Sequence, residues 1–197
     1  PESVQELRST ILQLAVQGKL VPQDPQNEPA SALLERIREE KQRLVKEGKI
    51  KKQKPLPEIK PEEVPFELPE GWEWARLGMI VNRVHYGYTA SADSNLREPK
   101  LLRITDIQSN KVDWKNVPGC KIDQNSLYRY SLQEGDILVA RTGGTIGKSY
   151  LIQDIDVNAV FASYLIRIIP NNYLFSRYIK SFFESPLYWT QLHDRST

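Results

Sequence analysis

The chain has 197 residues, 40% hydrophobic and 26% charged, with a formal net charge of +2. That balance excludes a disordered chain and suits one ordinary domain plus an appendage. The single cysteine, Cys120, excludes an internal disulfide and fits a reducing, cytoplasmic setting. No run approaches the roughly 18 apolar residues of a membrane span, and "PESVQELRST" carries no signal-peptide pattern.

Residues 2–17 read as a helix. Val4, Leu7, Ile11 and Leu14 are spaced three, four, three, the seam of a coiled coil, and Gly18 suits a left-handed C-terminal cap. "KLVPQDPQNEP" breaks the pattern with three prolines. A second helix is expected over 28–47, capped by Asn27, with Leu33, Ile37 and Leu44 on its apolar side. The two predict an antiparallel hairpin over residues 1–48 whose stripe wants further helices, either from its own globular domain or from another subunit. Glu39-Glu40-Lys41 holds a Glu-x-Lys pair, read here as ordinary helix surface.

Residues 49–69 read as a basic, proline-rich linker, with Lys49, Lys51, Lys52 and Lys54 before a series of prolines. A globular domain follows over 70–197. Trp74–Leu77 is expected to be its first strand, "NRVHYGYTASADSN" a polar loop, and "KLLRITDIQ" a strand. "VDWKNVPGC" reads as a turn-rich excursion, and "AVFASYLIRIIP" as one apolar strand. Residues 173–184 and 186–193 read as amphipathic helices. Strands followed by helices give an α+β class.

The most informative stretch is "GDILVARTGGTIGKSYLI", residues 135–152. A turn signal opens an apolar strand, a glycine-rich loop carries Arg141 and Lys148, and a return strand closes a hairpin. Gly-Lys-Ser suggests a phosphate-binding loop, but a P-loop needs glycine where Thr142 stands, and it must open a helix. Two readings remain: a plain hairpin loop, or one that brings backbone amides, Thr142, Gly143, Thr145, Arg141 and Lys148 up to a polyanion. The 82–95 loop, with His85, Tyr86, Tyr88 and Thr89, supplies more hydrogen-bonding groups.

Catalytic material is thin. Two histidines, His85 and His193, leave little for an acid/base pair or a multi-histidine metal site. Cys120 has no partner for a zinc pair. The glycine-rich and polar-Pro-Pro-aromatic motifs of a methyltransferase are absent. Two other classes stand beside a polyanion-binding module: a small nucleotide-binding enzyme using "TGGTIGKS", and a helical oligomerisation scaffold.

Three segments together resemble the specificity subunit of Type I restriction-modification systems. "ILQLAVQGKLVPQDPQNEPASALLERIREEK" is similar to that family's helical spacer. "LPEGWEWARLG" is similar to the entry of its target recognition domain, and "LLRITDI…GDILVARTGGTIGKSYLI…NAVFASYLIRI" to that domain's body. The resemblance implies a non-catalytic module that reads one half of a bipartite site in double-stranded DNA. It implies methylation and restriction subunits as partners, with a homodimer as a further option. S-adenosylmethionine, ATP and Mg would then belong to the partner subunits, and this chain would carry no metal or cofactor. By analogy Arg141, Thr142, Gly143, Thr145 and Lys148 face DNA, with His85, Tyr86, Tyr88 and Thr89 beside them. Val4, Leu7, Ile11, Leu14, Leu33, Ile37 and Leu44 form the helical interface. The family continues beyond a recognition domain into a second helical region, so the end at "HDRST" is expected to be a truncation.

Overall fold

The computed structural model describes residues 2–194. The chain runs α1 (Glu2–Val16), α2 (Ala30–Lys46), α3 (Leu77–Ile80), β1 (Val81–Tyr86), β2 (Lys100–Leu102), β3 (Ile107–Gln108) and β4 (Lys111–Val112). It continues through α4 (Gln124–Tyr130), β5 (Ile137–Ala140), β6 (Ser149–Leu151), β7 (Ala159–Phe161), β8 (Leu165–Pro170), α5 (Ser176–Phe182) and α6 (Pro186–Asp194). The class is α+β, as the sequence implied. Two compact units divide it, one of residues 1–83 with 170–197 and one of residues 84–169.

In the first unit α1 ends as its sequence predicts. Gly18 sits at φ 68°, its N–H donates to Ala15 O, and the Lys19 N–H donates to Leu14 O. This is the Schellman arrangement, which satisfies two orphan carbonyls. A Cβ on Gly18 would also lie 2.7 Å from Pro69 Cγ, so the glycine serves close packing as well as the turn. Gly48 closes α2 the same way, with Gly48 N–H to Val45 O and Lys49 N–H to Leu44 O.

The start of α2 differs from expectation. Asn27 does not cap it; the cap position is Pro29, with no side-chain bond. A residue before proline avoids the helical region, so Glu28 cannot extend the helix backwards. The Ala30 amide is satisfied instead by Gly71 O at 2.8 Å. α1 packs against α5 and α6, and α2 packs against α3. Lys41 is not the solvated charge expected of helix surface. Its Nζ donates to Gly78 O at 2.6 Å and Met79 O at 3.2 Å, a cation on the carbonyls of α3. Burial lowers its pKa.

One side chain holds several points of the proline-rich stretch together. The Arg76 guanidinium grips the Glu63 carboxylate at 2.8 and 2.6 Å and donates to the carbonyls of Pro57 and Glu58. Arg76 is thus the residue before α3 and not part of a strand. The first strand is β1, which takes up residues expected to be loop.

In the second unit the largest sheet has the order β1-β8-β5-β6, with β5 antiparallel to both β6 and β8. β7 pairs parallel with β2, Leu101 opposite Val160 and Leu102 opposite Phe161. The expected single strand over 159–170 is therefore two, β7 and β8, because residues 162–164 turn between them. Side chains alternate across β7. Ala159 and Phe161 join a core of Leu102, Leu138, Ile152 and Leu165, while Val160 and Ala162 pack with Leu101 and Cys120. Burial on both faces explains the unbroken apolar run. It also pushes the Cys120 thiol up, away from reactivity. α4 was not anticipated; Asp123 caps it, accepting from the Ser126 amide at 3.0 Å.

One charged pair lies inside this unit. Arg167 on β8 meets Asp136 at 2.6 Å, with side chains only 6% and 3% exposed. Asp136 also accepts the Gln133 amide at 2.7 Å. The pair pins the turn that opens β5 to its neighbouring strand.

Candidate nucleic-acid interface

β5 and β6 carry the glycine-rich loop between them. The hairpin is closed by Ala140 N–H to Lys148 O and Gly147 N–H to Ala140 O, both at 2.8 Å. Inside that closure the loop makes one 3-10 turn, Gly143–Thr145, and returns directly into β6. No helix follows it, so no helix N-terminus faces a phosphate, and the nucleotide-enzyme reading is not favoured.

The loop's glycines differ in what requires them. Gly143 and Gly147 have φ of 74° and 82°. Gly144 has neither a positive φ nor any atom within 4 Å of an added Cβ. Arg141, Thr142, Gly143, Gly144 and Lys148 are exposed and Thr145 is half-buried. The tip is therefore open backbone flanked by two cations.

Two other segments are hydrogen-bonded onto the same edge. The Gly87 N–H donates to Leu165 O, Tyr88 N–H to Phe161 O, and Ser163 N–H to Tyr88 O. A Cβ on Gly87 would lie 2.2 Å from Ala162 O, so only glycine fits. The Arg141 N–H donates to Tyr164 O at 3.0 Å. Residues 86–88, 141–148 and 161–165 thus converge. Across the junction the Arg141 guanidinium lies over the Tyr86 ring, 4.7 Å from its centroid.

The expected site residues separate into two groups. Tyr86, 57% exposed, and Thr89 face outward with the loop. His85 and Tyr88 are half-buried: the His85 ring packs against Phe161 and Tyr130, and Tyr88 against Tyr130. Sequence reading missed Tyr164, which is 62% exposed and bonded to Arg141 through its carbonyl. An aromatic at the bend of an otherwise apolar run was the available signal. It also missed Arg129, whose guanidinium lies over Tyr130.

The expected interface residues also separate. Val4, Leu7, Ile11 and Leu14 are 68%, 60%, 42% and 36% exposed, so the α1 seam lies open. On α2, Ile37 is buried within its own unit, and Leu33 and Leu44 are half-buried. Among the described residues no group of three or more His, Cys, Asp or Glu could hold a metal ion, and no helix is long and apolar enough to cross a membrane.

The fold is of the α+β class, and its 84–169 unit presents an open edge carrying Arg141, Tyr86 and the loop glycines. No family model matches the chain. The Escherichia coli Type I restriction enzyme EcoAI specificity subunit is 54% identical over 143 residues, 70% of this chain and 24% of that protein. The EcoEI specificity subunit of the same organism is 42% identical over 177 residues, 84% of this chain and 29% of that protein. The chain is a homologue of the Type I restriction enzyme specificity subunits, and it spans less than a third of the length of these two relatives. The crystal structure of an HsdS subunit from Thermoanaerobacter tengcongensis aligns with 78% of this chain and 38% of that one, with a TM-score of 0.47 and 17% identity.

Proposed function

We propose that the chain is a DNA sequence-recognition module of a Type I restriction-modification enzyme. It reads one half of a bipartite duplex target in the cytoplasm and docks methylation subunits, and restriction subunits join that assembly. S-adenosylmethionine, ATP and Mg belong to those partners, and the chain's own role is recognition and not catalysis. The identity to specificity subunits over 84% of the chain is the observation that carries this reading. The open edge at 86–89 and 141–148 agrees with it. Lys148, Thr142, Thr145 and the Gly143–Gly144 backbone suit phosphates, and Arg141 suits a base edge. His85 and Tyr88 support that edge from the packed side. The open α1 seam, with Leu33, Ile37 and Leu44 on α2, belongs to the helical spacer.

Binding of duplex DNA by the chain assembled with its methylation subunits tests the reading. Lys148→Ala is expected to weaken all sequences alike and to lower the salt slope by about 1, as for one lost phosphate contact. Absence of any sequence preference in the assembled wild-type complex would refute the proposal.

Gly144 gives a second check. With an ordinary φ and open space around it, Gly144→Ala is expected to leave stability unchanged or raise it by about 0.4–1 kcal/mol. The methyl stands where a phosphate would approach, so affinity should fall for every sequence by about 1 kcal/mol, one displaced hydrogen bond. Thermal unfolding and DNA titration read the two effects separately. A variant with unchanged affinity would remove the loop tip from the interface.

A further inference from the structure

Arg141, an exposed residue, is held differently from three arginines that are paired with carboxylates. Arg76 is committed to Glu63, Arg103 to Asp106 and Arg167 to Asp136. Among the described residues Arg141 holds no carboxylate; its guanidinium lies over the Tyr86 ring at 4.7 Å. A guanidinium that stacks on a ring does so through its face, which leaves the five N–H donors in its plane free of the ring. Contact with the ring restrains the fork, and among the described residues no side-chain hydrogen bond uses its donors. A solvent-exposed arginine on a loop ordinarily has several free torsions, and ordering it on binding costs rotamer entropy. Here contact with Tyr86 supplies part of that ordering before any ligand arrives.

The support beneath the stack is built from backbone. Arg141 N–H is tied to Tyr164 O, and Gly87, the residue after Tyr86, is tied to Leu165 O. The anchors are consecutive: Tyr164 ends the turn between β7 and β8, and Leu165 begins β8. Gly87 sits so tightly against Ala162 O that no other residue fits there. The two halves of the stack come from distant parts of the chain and are locked to the same turn. A stack of purely local origin would not need this arrangement.

We propose that Tyr86 is a positioning residue for specificity, holding the Arg141 fork to read a guanine through O6 and N7 in the major groove. A planar, bidentate donor matches the two acceptors of guanine and no other base edge. The inference rests on the DNA-recognition reading and goes beyond it in two respects. It names the base, and it assigns Tyr86 to act through Arg141 and not by its own hydroxyl.

The test uses the chain assembled with its methylation subunits. A preferred sequence is first selected from a random duplex pool. Each guanine of that sequence is then replaced singly by 7-deazaguanine, which keeps base pairing and removes N7. Wild type should lose about tenfold in affinity at one guanine, the scale of one good bidentate contact. Arg141→Ala should be indifferent to that replacement. Tyr86→Phe should behave as wild type, because the ring face is retained. Tyr86→Leu should lose about threefold to tenfold of the guanine preference, the scale of an exposed to desolvated cation–π contact. In the Arg141→Ala background Tyr86→Leu should have no further effect.

Three outcomes would overturn the proposal. A preferred sequence with no Arg141-dependent guanine would leave DNA recognition standing and remove the base assignment. Tyr86→Leu effects that add fully to Arg141→Ala, or that weaken all sequences equally, would make Tyr86 a separate contact. If Tyr86→Phe loses the preference, the hydroxyl is the reader. A pool that yields no preferred sequence at all would refute the underlying reading, a result distinct from these.

Discussion

Arg167→Met is expected to destabilise the chain by about 3–5 kcal/mol, because it leaves Asp136 buried without its cation. Both side chains are almost fully enclosed, so solvent cannot take Arg167's place. Removing both charges should behave differently. Arg167→Met with Asp136→Asn keeps an acceptor for the Gln133 amide and removes the stranded charge, so most of the lost stability should return. The pH dependence gives an independent check. Burial is the largest influence on Asp136 and lifts its carboxyl above the ordinary value, with Arg167 pulling it back down. A carboxyl raised on folding binds more protons in the folded chain than in the unfolded one. Its stability contribution is therefore present below the unfolded value, about 3.9, and is lost as pH rises through the folded value. Without Arg167 the folded value moves higher still. Urea unfolding of Arg167→Met should thus show a deficit smallest near the ordinary aspartate pKa and growing toward neutral pH. A deficit independent of pH would mean that the pair acts through packing alone.

Gly87→Ala is expected to cost about 3 kcal/mol, the upper part of the range for overpacking a tight site. The added carbon would meet Ala162 O at 2.2 Å, Phe161 O at 2.4 Å and the Ala162 carbonyl carbon at 2.5 Å. These are backbone atoms of the turn that also anchors Arg141, and they cannot rotate away as a side-chain end would. The same substitution at Gly144 meets nothing, so the two variants form a matched pair within one edge. Gly87→Ala should also lower the preference for the read base at temperatures far below unfolding, because relief of the clash displaces Tyr86 from Arg141. Equal stability of the two variants, measured by denaturant unfolding, would show that residues 86–88 do not pack on the β7–β8 turn.

The parts of this fold that were legible in the sequence are those decided locally. Gly135-Asp136 before Ile137–Ala140, and small residues before Ser149, specify the β5–β6 hairpin within one stretch of chain. Gly18 at the end of a three-four-three seam specifies the close of α1. Where a signal was present but outranked, the reading failed. Asn27 is a good capping residue, and Pro29 two positions on overrode it. Where pairing is decided from afar, no local signal existed. β1 is polar enough to read as loop, and β8 makes it a strand. The bend at residues 162–164 contains no glycine or proline; Tyr88 and Gly87, from far upstream, hold it through backbone bonds.

The same division holds within the candidate site. Arg141 and Lys148 were legible because a glycine-rich hairpin tip leaves flanking cations exposed. The pairing of Arg141 with Tyr86 was not, since it depends on two segments meeting at a third. Nor was the inward packing of His85 and Tyr88, which follows from the position of Phe161 and Tyr130 on β7 and α4. Polar aromatic residues in a row give no sequence signal for which side of a strand becomes core.

Sequence-specific DNA reading is proposed for the edge that Tyr86 and Arg141 form. The most direct measurement compares affinities for a selected duplex and its single-base variants, using the wild-type chain and Arg141→Ala, each assembled with its methylation subunits. Wild type is expected to discriminate by about 1–3 kcal/mol at one base pair, and Arg141→Ala to lose discrimination there while keeping it elsewhere. Equal loss of affinity for every duplex, with discrimination unchanged, would contradict the proposal.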